Sequence, residues 1–251
     1  MNFYQKLEII RQKNNSLLCI GLDPDLEKLG KQSQLEFNKQ IIEATHDMVC
    51  AYKPNTAFYE ADGARGIQAL KETCDYLADN HPEIPIILDA KRADIGNTNK
   101  GYAKFAFDYL RADAITLHPY MGGESLQEFI KYTDKYCFVM GRNSNPGAGE
   151  FQDLETQGMK LYEKVVLAAN SWGENVSVVA GATYPEELAV VRKLVDEGKP
   201  LLVPGIGAQG GDVESVMQNG GRNLIICTSR AVIFAHDSRR AILDLNRSIN
   251  G

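Results

Sequence analysis

Residues 84–98 read IPIILDAKRADIGNT. The first five are apolar, and at the point where they end the chain places Asp89, Lys91 and, three residues further on, Asp94. An apolar run without alternation is the pattern of a strand buried on both faces, as in a parallel sheet covered by helices. Charges at the end of such a strand are costly to bury unless they are paired, so their clustering asks for a use. In an extended strand Asp89 and Lys91, two residues apart, point to the same side. A solvated loop with an incidental ion pair remains the alternative for this stretch taken alone.

Seven further apolar runs share this character. SLLCIGLD (16–23), CAYKPNTAF (50–58), AITLH (114–118), YCFVMGR (136–142), VSVVAGAT (176–183), LLVPGIG (201–207) and NLIICTSR (223–230) complete a set of eight with IPIILDAK (84–91). Helical periodicity separates them, over 34–49, 63–79, 99–110, 125–133, 155–171, 185–197 and 211–219. A last helix over 238–248 closes the chain and an extra one, about 3–13, precedes the first strand. Eight strand–helix units predict a closed (β/α)8 TIM barrel with an extra N-terminal helix, forming one domain over residues 1–251. A doubly wound dinucleotide-binding sheet would carry GxGxxG after its first strand, whereas this strand ends in GLDPD. The Gly- and Asn-rich stretch GRNSNPGAGEFQD (141–153) reads as a loop over one end of the barrel.

Composition narrows the function. The chain has 251 residues with 44% hydrophobic and 24% charged side chains, enough for a large core, and a formal net charge of −6. That acidity argues against nucleic acid as the main partner and leaves room for a small anion held by a few local cations. Five widely spaced cysteines without a CxxC pair read as reduced, buried residues of a cytoplasmic protein. No segment approaches the roughly 20 apolar residues of a membrane span, and the N-terminus lacks a signal-peptide core. The four histidines are scattered, no Ser-His-Asp set is evident, and no metal or organic cofactor is expected, although carboxylates alone could hold a magnesium ion.

In a barrel of this kind, active-site residues stand at the carboxyl ends of the strands. Asp23, Lys53, Asp89 and Lys91 occupy such positions, and four charges converging on one mouth suggest a catalytic centre. Individually, Asp23 could be a turn former before Pro24, and Lys53 a snorkelling lysine. The loops after the seventh and eighth strands, VPGIGAQGG (203–211) and CTSRAVIFA (227–235), fall where barrels commonly bind phosphate. Glycines there allow backbone amides to approach an anion, and Arg230 offers a bidentate fork, unless PGIG is a packed turn and Arg230 a structural ion-pair residue.

DAKRADIGNT resembles the DxKxxDIxxT signature of the orotidine 5′-phosphate decarboxylase family. The resemblance extends through GLDPD, KPNTAFYE, NSNPGAG, VPGIGAQGG and TSRA, and is closest to the subfamily with a helix before the first strand and an NSNPG loop. It implies decarboxylation of orotidine 5′-phosphate to uridine 5′-monophosphate in pyrimidine biosynthesis, without a cofactor. It implies that Asp23 and Lys53 hold ribose hydroxyls, that Asp89 faces the substrate carboxylate, and that Lys91 protonates C6. Asp94 and Thr98 would reach the other subunit's substrate across a homodimer interface. Ser144 would contact the pyrimidine, with Asn145 and Pro146 in the closing loop. Pro204, Gly207, Gln209, Ser229 and Arg230 would surround the phosphate end. Two other readings keep the same core: a metal-dependent phosphosugar lyase or aldolase, and a non-catalytic sensor of a phosphorylated ligand.

Overall fold

A computed structural model describes residues 1–206 and 212–250. Eight parallel strands form its centre: β1 Leu18–Leu22, β2 Ala51–Pro54, β3 Ile87–Arg92, β4 Ala114–Leu117, β5 Tyr136–Met140, β6 Val176–Val179, β7 Leu201–Pro204 and β8 Leu224–Thr228. The hydrogen-bonded order runs β2-β1-β8-β7-β6-β5-β4-β3. Parallel bridges between Tyr52 and Ile86 and between Asn55 and Asp89 then join β2 to β3 and close the cylinder. Six strands are buried along their whole length; β3 becomes accessible only at Lys91 and Arg92, and β7 only at Pro204. This is the (β/α)8 barrel expected from the eight apolar runs.

The helix Phe3–Asn14 is the expected extra element, and its contacts show which end of the barrel it covers. It starts in a capping box, in which the Asn2 side chain accepts from the Gln5 amide and the Gln5 side chain accepts from the Asn2 amide. The Phe3 ring lies 5.0 Å from that of Tyr136, at the start of β5. Lys6 pairs with Asp113 just before β4 at 2.7 Å, and buried Arg11 donates to the Leu224 carbonyl where β8 begins. All these partners sit at the amino ends of strands. The helix therefore seals that end, and the carboxyl ends are left to build a cavity.

Two expected helices come out differently. Residues 125–133 supply only the single turn Gln127–Ile130. The segment 155–171 opens as a hairpin, Glu155–Thr156 against Met159–Lys160, before the helix Leu161–Ser171. The reason is local: Gln157 and Gly158 carry φ of 54° and 78°, the pair of positive angles a two-residue hairpin turn requires. All five cysteines are free and buried. Among the described residues, no helix is long and apolar enough to cross a membrane.

Candidate active site

The sequence KPNTAF explains how Lys53 is delivered. β2 ends at Pro54, and the Asn55 side chain caps the next helix, Thr56–Glu60, by accepting from the Ala57 amide at 3.2 Å. Lys53 is thus the last side chain but one of a buried strand. Its ammonium donates to Asp89 Oδ2 at 2.9 Å, with both side chains about nine-tenths buried.

Lys91 reaches the same carboxylate from the other side, donating to Asp89 Oδ1 at 2.5 Å. It does so by a route that strand alternation does not describe. The β3–β4 register runs Leu88 to Ile115 and then Arg92 to Leu117, so three residues of β3 stand against Thr116 alone. Within this bulge Lys91 takes a left-handed backbone, φ 46°, which is costly for a long side chain. The Thr116 hydroxyl accepts from the Lys91 amide at 3.0 Å and donates to Asp89 Oδ1 at 2.9 Å. Asp89 therefore receives hydrogen bonds from two ammonium groups and one hydroxyl.

The electrostatics follow from this geometry. Burial alone would raise the Asp89 pKa, but Lys53 and then Lys91 outweigh it and hold the carboxyl well below its ordinary range. Burial alone would lower the Lys53 pKa, yet Asp89, followed by Asp23, carries it above the ordinary lysine value. Each charge thus favours the ionised form of the other.

Next to Lys53, at the end of the neighbouring strand, the Ser229 hydroxyl donates to Asp23 Oδ2 at 2.6 Å, linking the ends of β1 and β8. Gly21 makes that approach possible, since a Cβ there would fall 2.8 Å from Ser229 Cβ. The second Asp23 oxygen is buried without a hydrogen-bond partner among the described residues, as is Thr228 Oγ1. The long loop over the mouth is tied at its base: buried Arg142 pairs with Asp153 at 3.1 Å, and Gln152 accepts from the Asn143 amide at 2.8 Å. Gly181 lets Ser144 pack close, because a Cβ there would meet Ser144 at 2.8 Å.

A cavity of about 520 Å³ unites these groups, a size suited to a nucleotide-scale ligand. Asp23, Lys53, Asp89 and Lys91 line it, and so do Ser144, Pro204, Ser229 and Arg230. Met140, Val179 and Leu202 form apolar wall between the charged parts. Gly207 and Gln209 lie outside the described residues. Asp94 and Thr98 do not line the cavity. The Asp94 carboxylate accepts from the Ile95 amide at 2.6 Å, while buried Asn99 accepts from the Asp94 amide and donates to its carbonyl and to that of Ser125. Asp89, and not Asp94, is thus the acid beside Lys91 within one chain. Sequence reading missed Thr116, His118, Asn55 and Asn143, which also line the cavity. Thr116 and His118 end the run AITLH, and their place at a strand's carboxyl end was the available signal.

Fold and cavity together define a (β/α)8-barrel enzyme with its site at the carboxyl ends of the strands. The chain belongs to the orotidine 5′-phosphate decarboxylase / HUMPS family, whose model matches residues 16–245. It is 49% identical to the orotidine 5′-phosphate decarboxylase of Herpetosiphon aurantiacus, over 93% of this chain and 90% of that one. It is 44% identical to the Cellvibrio japonicus enzyme of that name, over 100% of this chain and 98% of the other. Among solved structures, Leishmania donovani OMP decarboxylase superposes with a TM-score of 0.91 at 40% identity, covering 100% and 98% of the two chains. Leishmania donovani UMP synthase gives 0.93 at 42%, and there this chain spans 56% of the longer protein.

Proposed function

We propose that this protein decarboxylates orotidine 5′-phosphate to uridine 5′-monophosphate, serving pyrimidine biosynthesis. The observation that carries the reading is the Lys53–Asp89–Lys91 array at one side of a nucleotide-sized cavity, with Arg230 on its rim. Membership of the family supports it.

In this reading the phosphate sits against Arg230 and backbone near Pro204 and Gly205, where φ at Gly205 is 111° and a side chain would be strained. The resemblance assigns Gly207 and Gln209, which lie outside the described residues, to the phosphate as well. The unpartnered Asp23 oxygen accepts a ribose hydroxyl, Lys53 donates to another, and Ser144 meets the pyrimidine. The substrate carboxylate lies toward Asp89. When its bond to C6 breaks, carbon dioxide leaves and the electron pair remains on C6. The Lys91 ammonium, preorganised by Asp89, stabilises that charge and then gives C6 a proton. Its side chain is 39% exposed, so solvent returns the proton. No cofactor takes part.

The chain is read as one barrel domain in the cytoplasm, acting as a homodimer with shared sites. Asp94 and Thr98, which stay out of the cavity of their own chain, would complete the site of the partner subunit. Ile95 and Tyr120, 60% and 96% exposed on segments joined through Asn99 and Ser125, give a second copy apolar surface to cover. Incubation with orotidine 5′-phosphate, following pyrimidine absorbance with and without chelator, tests the activity. Chelator-insensitive conversion is expected. Loss of turnover with chelator would favour a metal-dependent lyase, and binding without turnover a sensor.

A further inference from the structure

We infer that Thr116 is a positioning residue for the reaction, its hydroxyl fixing the Lys91 backbone and the Asp89 carboxylate at once; this rests on the decarboxylase reading above. Because Leu88 pairs with Ile115 and Arg92 with Leu117, Asp89, Ala90 and Lys91 have only Thr116 opposite them. The β4 backbone cannot match that many groups, so the Thr116 side chain stands in for part of the ladder. A hydroxyl has one proton, and here it is directed to Asp89 Oδ1, while a lone pair takes the Lys91 amide. Both bonds need the same rotamer, and the residue is 1% exposed on a buried strand that holds it there.

The consequence is mechanistic. Lys91 has a left-handed backbone whose conformation is not its own preference, and its ammonium and Asp89 must keep one relative placement in the cavity. Thr116 is the one described residue that holds the backbone of the first and the carboxylate of the second. Valine would fill nearly the same volume and make neither bond; serine would make both and leave a small void. A role confined to packing would favour valine over serine. A positioning role reverses that order.

The test is steady-state decarboxylation of orotidine 5′-phosphate by the parent, Thr116→Val and Thr116→Ser, with active sites counted by titration with uridine 5′-monophosphate. For Thr116→Val we expect kcat per site to fall about a hundredfold with KM changed less than about threefold, and for Thr116→Ser a kcat within about threefold of the parent. If Thr116→Val does not fold, Thr116→Ala takes its place in the comparison. A kcat for the hydroxyl-free variant close to the parent's, a loss shared equally by Thr116→Ser, or a loss confined to KM would overturn the inference. A parent without decarboxylase activity would instead overturn the functional reading, and this inference with it.

Discussion

The Lys91 ammonium stands 2.5 Å from Asp89 Oδ1 although a strand bulge separates the two residues and Lys91 has a left-handed backbone. Simple alternation would have put both side chains on one face at no conformational cost. The bulge turns the Lys91 backbone out of regular alternation near the end of β3, while Asp89 stays anchored by Lys53 and Thr116. The result is a cation placed at the cavity mouth and held by an acid that is itself over-constrained.

Replacing Asp89 with asparagine tests how far stability depends on that acid. Lys53 would keep its burial and lose its counter-charge, a change that costs on the order of 3–5 kcal/mol in buried pairs. The parent should also show an acid limb. Because the folded-state pKa of Asp89 is depressed, its contribution is fully present above the unfolded value of about 3.9 and is lost as pH falls through the lower folded value. Lys53 is shifted upward, so its contribution holds below the unfolded value of about 10.4 and is lost as pH rises toward the higher folded one. Urea unfolding carried down from about pH 5 to about pH 2, below the unfolded carboxylate value of about 3.9, should show a flatter acid limb in Asp89→Asn. An identical acid limb would remove Asp89 from the account.

Arg230 should matter for phosphate and little else. Calorimetric titration of Arg230→Ala with uridine 5′-monophosphate is expected to show a loss of about 2–5 kcal/mol, the range for charge-assisted contacts truncated on one side. Uridine should bind parent and variant alike. Equal losses for both ligands would make Arg230 a structural residue.

The placement of Asp94 outside its own cavity makes a prediction about assembly. Lys91→Ala and Asp94→Ala homodimers should each be nearly inactive. If the proposed dimer shares its sites, one site of a mixed dimer takes Lys91 from one chain and Asp94 from the other, so it is intact, and the second carries both lesions. Random exchange makes half the dimers mixed, and about a quarter of parental activity should return. Mixed dimers that form and stay inactive would place Asp94 in the service of its own chain.

How much of this was legible beforehand differs by scale. All eight apolar runs became barrel strands, because a strand buried on both faces must be apolar nearly throughout and little else in the chain is. The charges at strand ends were legible for the same reason: Lys53 in CAYKPNTAF, and Asp89 with Lys91 in IPIILDAK, are the only charges of their runs. Thr116 was not, since a threonine in a strand reads as a strand former and its hydroxyl's use depends on a register no sequence pattern encodes. Neither was the bulge at Lys91, which arises from pairing with β4 rather than from its neighbours in sequence. Asn99 looked like any residue of a helix start, yet it carries the loop that holds Asp94 away from the cavity. Gln157-Gly158 could have been recognised as a hairpin turn, but the helical periodicity after it masked the signal.

The most direct test of the central claim is the turnover of Lys91→Ala on orotidine 5′-phosphate, measured beside the parent with uridine 5′-monophosphate binding as the control for an intact site. The account predicts that the parent converts substrate, while the variant binds the product nucleotide and loses at least about a thousandfold in kcat, as expected when the general acid and the charge opposite the carbanion are removed together. A variant that kept turnover within about tenfold of the parent would contradict it, because another group would then be protonating C6.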